Sequence, residues 1–127
     1  MKNRVEREQE LIISGLVDAV KSQYNNIQYN IPDKYFLLIA DYLDTIGQLD
    51  KEGGLYLDPI EVGMQLPQLL TSITETDLSG IYARTDGDKI TMNAKLDYET
   101  NKLYFFHELT HALQTRKVDN HEEVLFL

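Results

Sequence analysis

Cysteine is absent from this sequence of 127 residues, and proline occurs only three times. Without cysteine, the chain can form neither a disulfide framework nor a thiolate zinc site. No apolar run reaches the roughly eighteen residues that indicate a membrane-spanning helix, so we expect no membrane partner. The N-terminal stretch is rich in charge and leads into no signal-peptide core. We therefore expect a cytoplasmic protein, by default a bacterial one.

Basic residues are scarce as well. The sequence has 12 Lys and Arg against 21 Asp and Glu, a formal net charge of −9. Such a chain repels nucleic-acid phosphates unless its basic residues are clustered, and the groups around Arg4 and at Arg116-Lys117 are too small for that. Nucleic acid is therefore excluded as a partner, and solubility explains the acidity most simply. The length and the 43 % apolar content fit one globular domain, residues 1–127.

Hydrophobic periodicity predicts a helical first part, residues 1–79. In the second part, residues 80–127, the pattern first changes to that of short strands. Apolar residues recur at the helical spacing over residues 4–26 and 33–48. A third stretch, from Pro59 to about Ile73, is also predicted to be helical, although a glycine and a proline interrupt it.

The second part starts with two short strand-like segments, 81–84 and 89–93. Asp86-Gly87 between them favours a tight antiparallel hairpin. Residues 98–116 contain neither glycine nor proline and predict a long helix, and residues 121–127 predict the start of another. Together these elements predict an α+β fold, a mainly helical domain with a small antiparallel β-hairpin or sheet before the long helix.

The run His107-Glu108-Leu109-Thr110-His111 has the spacing of a zinc site within the long helix. Residues i and i+4 share a helix face, so the Nε2 atoms of His107 and His111 can meet one Zn²⁺ at about 2.0–2.1 Å. Glu108 is turned by about 100° from the first histidine, beside the open coordination position. There it can take a proton from a zinc-activated water that attacks a peptide carbonyl, and return it to the leaving amine. The alternative is two ordinary histidines, satisfied in the core or at the surface, and a solvated helix charge.

The segment Phe106–Gln114 resembles the active-site helix of the zincin zinc metallopeptidases. The lead-in, Gly80-Ile81-Tyr82 followed by Lys89–Asn93 and a polar stretch, is similar to small bacterial zincins of the ImmA/IrrE type. The resemblance covers roughly residues 80–116. It implies a zincin-like fold, a bound Zn²⁺ and hydrolysis of a peptide or protein substrate, with the same roles for the two histidines and the glutamate.

The resemblance also implies a place for the substrate. In zincins a strand at the sheet edge runs along the active-site cleft, and the substrate backbone adds to that edge. The segment 81–84 is the expected edge, because 89–93 leads directly into the motif helix; the alternative is a purely structural hairpin. The expected substrate-binding residues are Ile81, Tyr82, Ala83 and Arg84. A hydroxyl of Tyr82 or Tyr104 is a weaker candidate for stabilising an oxyanion.

A catalytic zinc needs three protein ligands, and the motif supplies two. Gln114 and Lys117 stand where the metzincin continuation requires glycine and histidine, which excludes that subclass. In gluzincins the third ligand is a glutamate on the next helix, which here falls beyond Leu127. Within the chain the candidates are His121, Glu122 and Glu123. A returning helix would leave them at its far end, so we expect a chain truncated at its C-terminus, with the third ligand beyond it.

Three functions from different classes remain. The first is a zinc-dependent endopeptidase or a closely related metallohydrolase. The second is a zincin-like binding or regulatory module whose metal site is weakened or incomplete. The third is a helical interaction domain with an accidental motif, which predicts that alanine at His107 or His111 changes neither metal binding nor activity.

Overall fold

The fold is α+β, as the sequence predicts, in a computed structural model that describes residues 4–51, 59–114 and 122–126. The elements of these ranges are, in chain order, α1 (Arg4–Gln23), α2 (Asp33–Lys51), α3 (Pro59–Leu69), β1 (Ser72–Thr76), β2 (Ile81–Asp86), β3 (Lys89–Asn93), α4 (Tyr98–Gln114) and β4 (Glu122–Phe126). Each of the four predicted longer helical segments overlaps one of the helices, although α2 runs to Lys51, past the predicted end at residue 48. Among the helices in these ranges, none is both long enough and apolar enough to cross a membrane.

Contacts divide the chain into two compact units. One consists of Met1–Ile27 and Asp33–Leu66, and the other of Gln28–Pro32 and Pro67–Leu127. The change from the helical part to the sheet therefore comes near residue 67 and not at residue 80, because a strand that was not predicted follows α3. The expectation of a single domain remains a prediction.

The helices α1 and α2 pack against each other in the first unit. The apolar stripe of α2 is buried, as its helical period predicts. Its buried residues include Tyr35, Phe36, Leu38, Ile39, Leu43 and Ile46. The rings of Tyr24 and Phe36 meet edge to face with their centroids 5.6 Å apart, an arrangement that aromatic quadrupoles favour. Lys21 and Asp33 form an exposed ion pair of 3.0 Å, which adds little stability because water screens it.

The second unit is built on a four-stranded sheet in the order β1-β3-β2-β4. The strands β2 and β3 form the predicted antiparallel hairpin. Gly87 lies in its turn with a φ of 61°, a conformation that a residue without a Cβ adopts at little cost. β4 pairs antiparallel with β2, whereas β1 lies parallel to β3. The sheet is therefore mixed, and the prediction of antiparallel pairing does not extend to β1.

The strand β1 is a departure from the sequence prediction, which continues a helix to about Ile73. The helix α3 instead ends at Leu69, and β1 follows. Several residues of this segment are β-branched and favour a strand, because their stiff side chains pack well on a pleated surface. Asn30 adds an isolated parallel bridge to Ser72. Pairing with distant residues, which local periodicity does not report, decides the structure here.

The prediction of a helix start over residues 121–127 is wrong. Glu122–Phe126 form the strand β4, and residue 121 lies outside the described ranges. Val124 and Phe126 are residue types that favour a strand. Pairing with β2 gives the backbone of this short segment its hydrogen-bond partners, whereas a single helical turn leaves most of its own unsatisfied.

The helix α4 packs against β2 and β3. It begins after Asp97, whose Oδ1 accepts a hydrogen bond of 2.8 Å from the backbone N–H of Thr100, as expected for an N-cap. Phe105, Leu109 and Ala112 are buried, and their spacing gives α4 one apolar face. Because that face holds the helix against the sheet, the motif residues have fixed positions around the helix axis.

Candidate metal centre

His107 and His111 lie on one face of α4, as their spacing predicts. Their Nε2 atoms are 2.8 Å apart. The ring centroids are 4.3 Å apart, and the ring planes are inclined by 64°. His107 is exposed and His111 is partly buried, so a solute can approach the two nitrogens from solvent.

The spacing of the two nitrogens fits one metal ion. A tetrahedral zinc with bonds of about 2.0–2.1 Å holds two ligand nitrogens about 3.3 Å apart. The observed 2.8 Å is shorter by about half an ångström, a difference that small rotations of the rings supply. The same distance suits a hydrogen bond from one ring N–H to the other ring nitrogen. The pair therefore has the geometry and the donor chemistry of two zinc ligands.

The third ligand is not found in the part of the chain that the structure describes. Within that part, no group of three or more His, Cys, Asp or Glu side chains could hold a metal ion. His121 lies outside the described residues. Glu122 and Glu123 lie on β4, opposite Asp86 and Thr85 of β2, so the expectation that they occupy the far end of a returning helix is wrong. Their side chains are outside the described part, and the third ligand stays a prediction.

Glu108 is fully buried, with an exposed fraction of 0 %. Around the helix axis it lies about 100° from His107 and about 60° from His111. Its Oε2 atom accepts a hydrogen bond from the hydroxyl of Thr85. The alternative interpretation of Glu108 as a solvated helix charge is therefore wrong. Burial removes the hydration of a carboxylate, and the Thr85 donor replaces part of it.

Thr85 is the residue of this site that was not predicted from the sequence. The predicted strand ends at Arg84 and leaves Thr85 to the hairpin loop, whereas β2 continues to Asp86. Residues i and i+2 of a strand share a face. Continuing the strand from Ala83 would therefore have placed Thr85 on the same face as Ala83. The contact with Glu108 joins residues 23 positions apart in sequence, and no local pattern reports such a pairing.

The expectation that β2 is an edge strand is wrong. Its neighbours in the sheet are β3 and β4. Ala83 and Arg84 each have a partner residue in both neighbouring strands. Strand addition needs a row of unpaired backbone groups, and β4 occupies that row. A role for the side chains of Ile81, Tyr82, Ala83 and Arg84 in substrate binding stays a prediction.

Tyr82 contacts the histidine-bearing side of α4. The pairing of β2 with β4 shifts register between Ile81 and Ala83, and a β-bulge of this kind re-aims the side chain of the extra residue. The Tyr82 ring stacks on the Tyr104 ring, with centroids 3.9 Å apart and planes inclined by 12°. Tyr104 lies one helical turn before His107 and therefore near the same face. A hydrogen bond with Tyr82 raises the pKa of Tyr104, so this phenol keeps its proton at neutral pH.

No protein-family model, curated protein or solved structure matches this chain. Two features of the chain bear on its function: the geometry around His107, Glu108 and His111, and the resemblance of the motif helix to the zincins.

Proposed function

We propose that this chain is a zinc-dependent metallopeptidase that acts on a peptide or protein substrate. The observation that carries the proposal is the 2.8 Å separation of the His107 and His111 Nε2 atoms. Two neutral imidazoles at this spacing suit a zinc ion. The carboxylate of Glu108 comes next in the same helix, where it suits a general base.

The chain's own residues have distinct roles in this function. When bound, zinc lowers the pKa of a coordinated water to about 7 and polarises a substrate carbonyl. Glu108 accepts a proton from the attacking water at a carboxylate oxygen and passes it to the nitrogen of the leaving amine. His107 and His111 hold the metal as neutral ligands. The stacked pair of Tyr82 and Tyr104 supplies a neutral phenol donor beside this face, suited to a substrate carbonyl.

A second candidate function is a zincin-like binding or regulatory module with an incomplete metal site. The complete burial of Glu108 favours it, together with the bond from Thr85. In this function the carboxylate holds α4 against β2 and exchanges no proton. The histidine pair then binds a partner or a metal ion without hydrolysis.

Metal analysis combined with a cleavage assay tests the proposal. The full chain is stripped of metal with a chelator, reloaded with zinc and incubated with an unfolded protein substrate, and the products are identified by mass spectrometry. We expect stoichiometric zinc binding and cleavage that requires zinc. His107→Ala and His111→Ala should each lose both properties, because each removes one of the two nitrogens.

The matched control is Glu99→Gln, since Glu99 is an exposed carboxylate in the first turn of the same helix. This variant should keep both zinc and cleavage. Zinc binding without cleavage by the wild-type chain would favour the second candidate function. A wild-type chain that binds no zinc above background would overturn the metallopeptidase proposal.

A further inference from the structure

We propose that Thr85 is a positioning residue for Glu108, a role that rests on the proposed metallopeptidase function. The Thr85 hydroxyl donates a hydrogen bond to Oε2 of Glu108. This bond fixes the orientation of the carboxylate and assigns the other oxygen, Oε1, to the proton transfer. Thr85 touches no reacting atom and acts only through Glu108.

The strand β2 gives Thr85 its orientation. Burial alternates along the strand, with Ala83 and Thr85 buried and Arg84 and Asp86 exposed. The helix α4 packs against β2, and the bond to Glu108 identifies the buried face of the strand as the one toward α4. Thr85 therefore holds the carboxylate from the sheet side, while the two histidines lie further around the helix, toward solvent.

Threonine is well suited to hold a carboxylate in place. Its two heavy atoms on Cβ restrict χ1, and at 2 % exposure the hydroxyl is shielded from water. The terminal torsion of a glutamate is broad, so the Thr85 bond narrows the range of orientations open to the Glu108 carboxylate. A misplacement of about 1 Å can slow a reaction about 100-fold. We therefore expect loss of the hydroxyl to slow the chemical step and to leave substrate binding unchanged.

A purely structural role is the competing explanation, in which the bond only joins α4 to the sheet. Under that explanation, Thr85→Val lowers the unfolding temperature but does not change the kcat of the folded protein. Measurements of kcat and KM well below the unfolding temperature therefore separate the two roles.

The test uses the zinc-loaded full chain and the substrate that the wild type cleaves. Thr85→Val keeps the shape of the side chain and removes the donor, and we expect kcat to fall about 10- to 100-fold. KM and zinc content should stay within about twofold of wild type, because neither the substrate contacts nor the metal ligands change. Thr85→Ser restores the hydroxyl and should recover most of kcat. In a Glu108→Gln background, Thr85→Val should cause no further loss, because both residues act on one step.

The matched control is Thr91→Val. Thr91 of β3 pairs with Arg84 and is therefore on the opposite face of the sheet from Thr85, so its replacement should leave kcat unchanged. If Thr85→Val does not fold, Thr85→Cys replaces it, since a thiol is a weak donor. We expect the kcat of Thr85→Cys to be lower than that of Thr85→Ser, but to fall by less than the roughly 10- to 100-fold expected for complete loss of the donor.

Two kinds of failure can be told apart. A folded Thr85→Val or Thr85→Cys variant with the wild-type kcat overturns the positioning role alone, as does a Thr85→Ser variant that is no faster than Thr85→Val. A wild-type chain without zinc-dependent cleavage overturns the metallopeptidase proposal, and the positioning role with it.

Discussion

Zinc added to the metal-free chain should raise its unfolding temperature. At a free zinc concentration about 100-fold above Kd, binding to the native state alone stabilises it by about 2.7 kcal/mol. The unfolding entropy is about 2.1 cal/mol/K per residue, which for 127 residues gives about 0.27 kcal/mol/K. The expected rise is therefore about 10 °C.

The geometry of the histidine pair is the reason to expect a rise of this size. The Nε2 atoms of His107 and His111 are 2.8 Å apart and need only open to about 3.3 Å to bind one ion. Both residues are held on one rigid helix, so zinc binding does not have to order them. Because zinc binds deprotonated imidazole, protons compete with it for both nitrogens, and the rise should shrink as the pH falls from about 7.5 to about 5.

Thermal unfolding followed by circular dichroism, with and without zinc, measures the effect in wild type, His107→Ala and His111→Ala. Either alanine variant should lose most of the zinc-dependent rise, and the unfolding temperature without zinc should change little, since His107 is exposed and His111 only partly buried. An equal rise in both variants, or a rise that is the same at pH 7.5 and pH 5, would refute the assignment of these histidines as ligands.

Three further sets of substitutions test the fold. Asp97→Ala should be less stable than Asp97→Asn, which keeps an oxygen for the Thr100 N–H. That hydrogen bond lowers the pKa of Asp97 from its ordinary 3.8. The stability that the charged carboxylate contributes is therefore present above pH 3.8 and is lost as the pH falls through the lowered pKa. Thermal unfolding at graded pH would detect this loss as a shrinking difference in unfolding temperature between wild type and Asp97→Ala. Gly87→Ala should lower the free energy of unfolding in urea by about 1–2 kcal/mol, because the φ of Gly87 is 61°. Gly15→Ala should raise the free energy of unfolding by about 0.5–1 kcal/mol, because an added Cβ at this helical position meets no atom within 4 Å. Leu109→Ala should cost about 2–5 kcal/mol in the same titration, because Leu109 is buried, and a loss below about 1 kcal/mol would contradict its place in the core.

Local signals in the sequence predict much of this fold. The apolar stripe of α2 and the turn at Asp86-Gly87 each depend on residues a few positions apart. The structure has both where they are predicted. The face of α4 that carries His107 and His111 follows in the same way, because a spacing of four residues fixes it.

Long-range pairing explains what could not be predicted. The strand β1 is short, and its place beside β3 is decided by residues far along the chain. The same holds for β4, whose pairing with β2 removes the expected free edge. The buried Glu108 accepts a hydrogen bond from Thr85, a contact across 23 positions of sequence. Periodicity reports which face of an element is apolar, but it does not report which distant residue meets that face.

In the proposed function, Glu108 moves a proton while the two histidines hold the metal. The kcat of Glu108→Gln at full zinc occupancy tests this assignment most directly. Glutamine has nearly the same shape and can still accept the Thr85 hydrogen bond, but it cannot take up the proton. We predict a zinc content equal to that of wild type and a kcat lower by about 100-fold or more. A zinc-loaded variant that cleaves at the wild-type rate would contradict the assignment, and a folded variant that has lost zinc would show that Glu108 is a metal ligand.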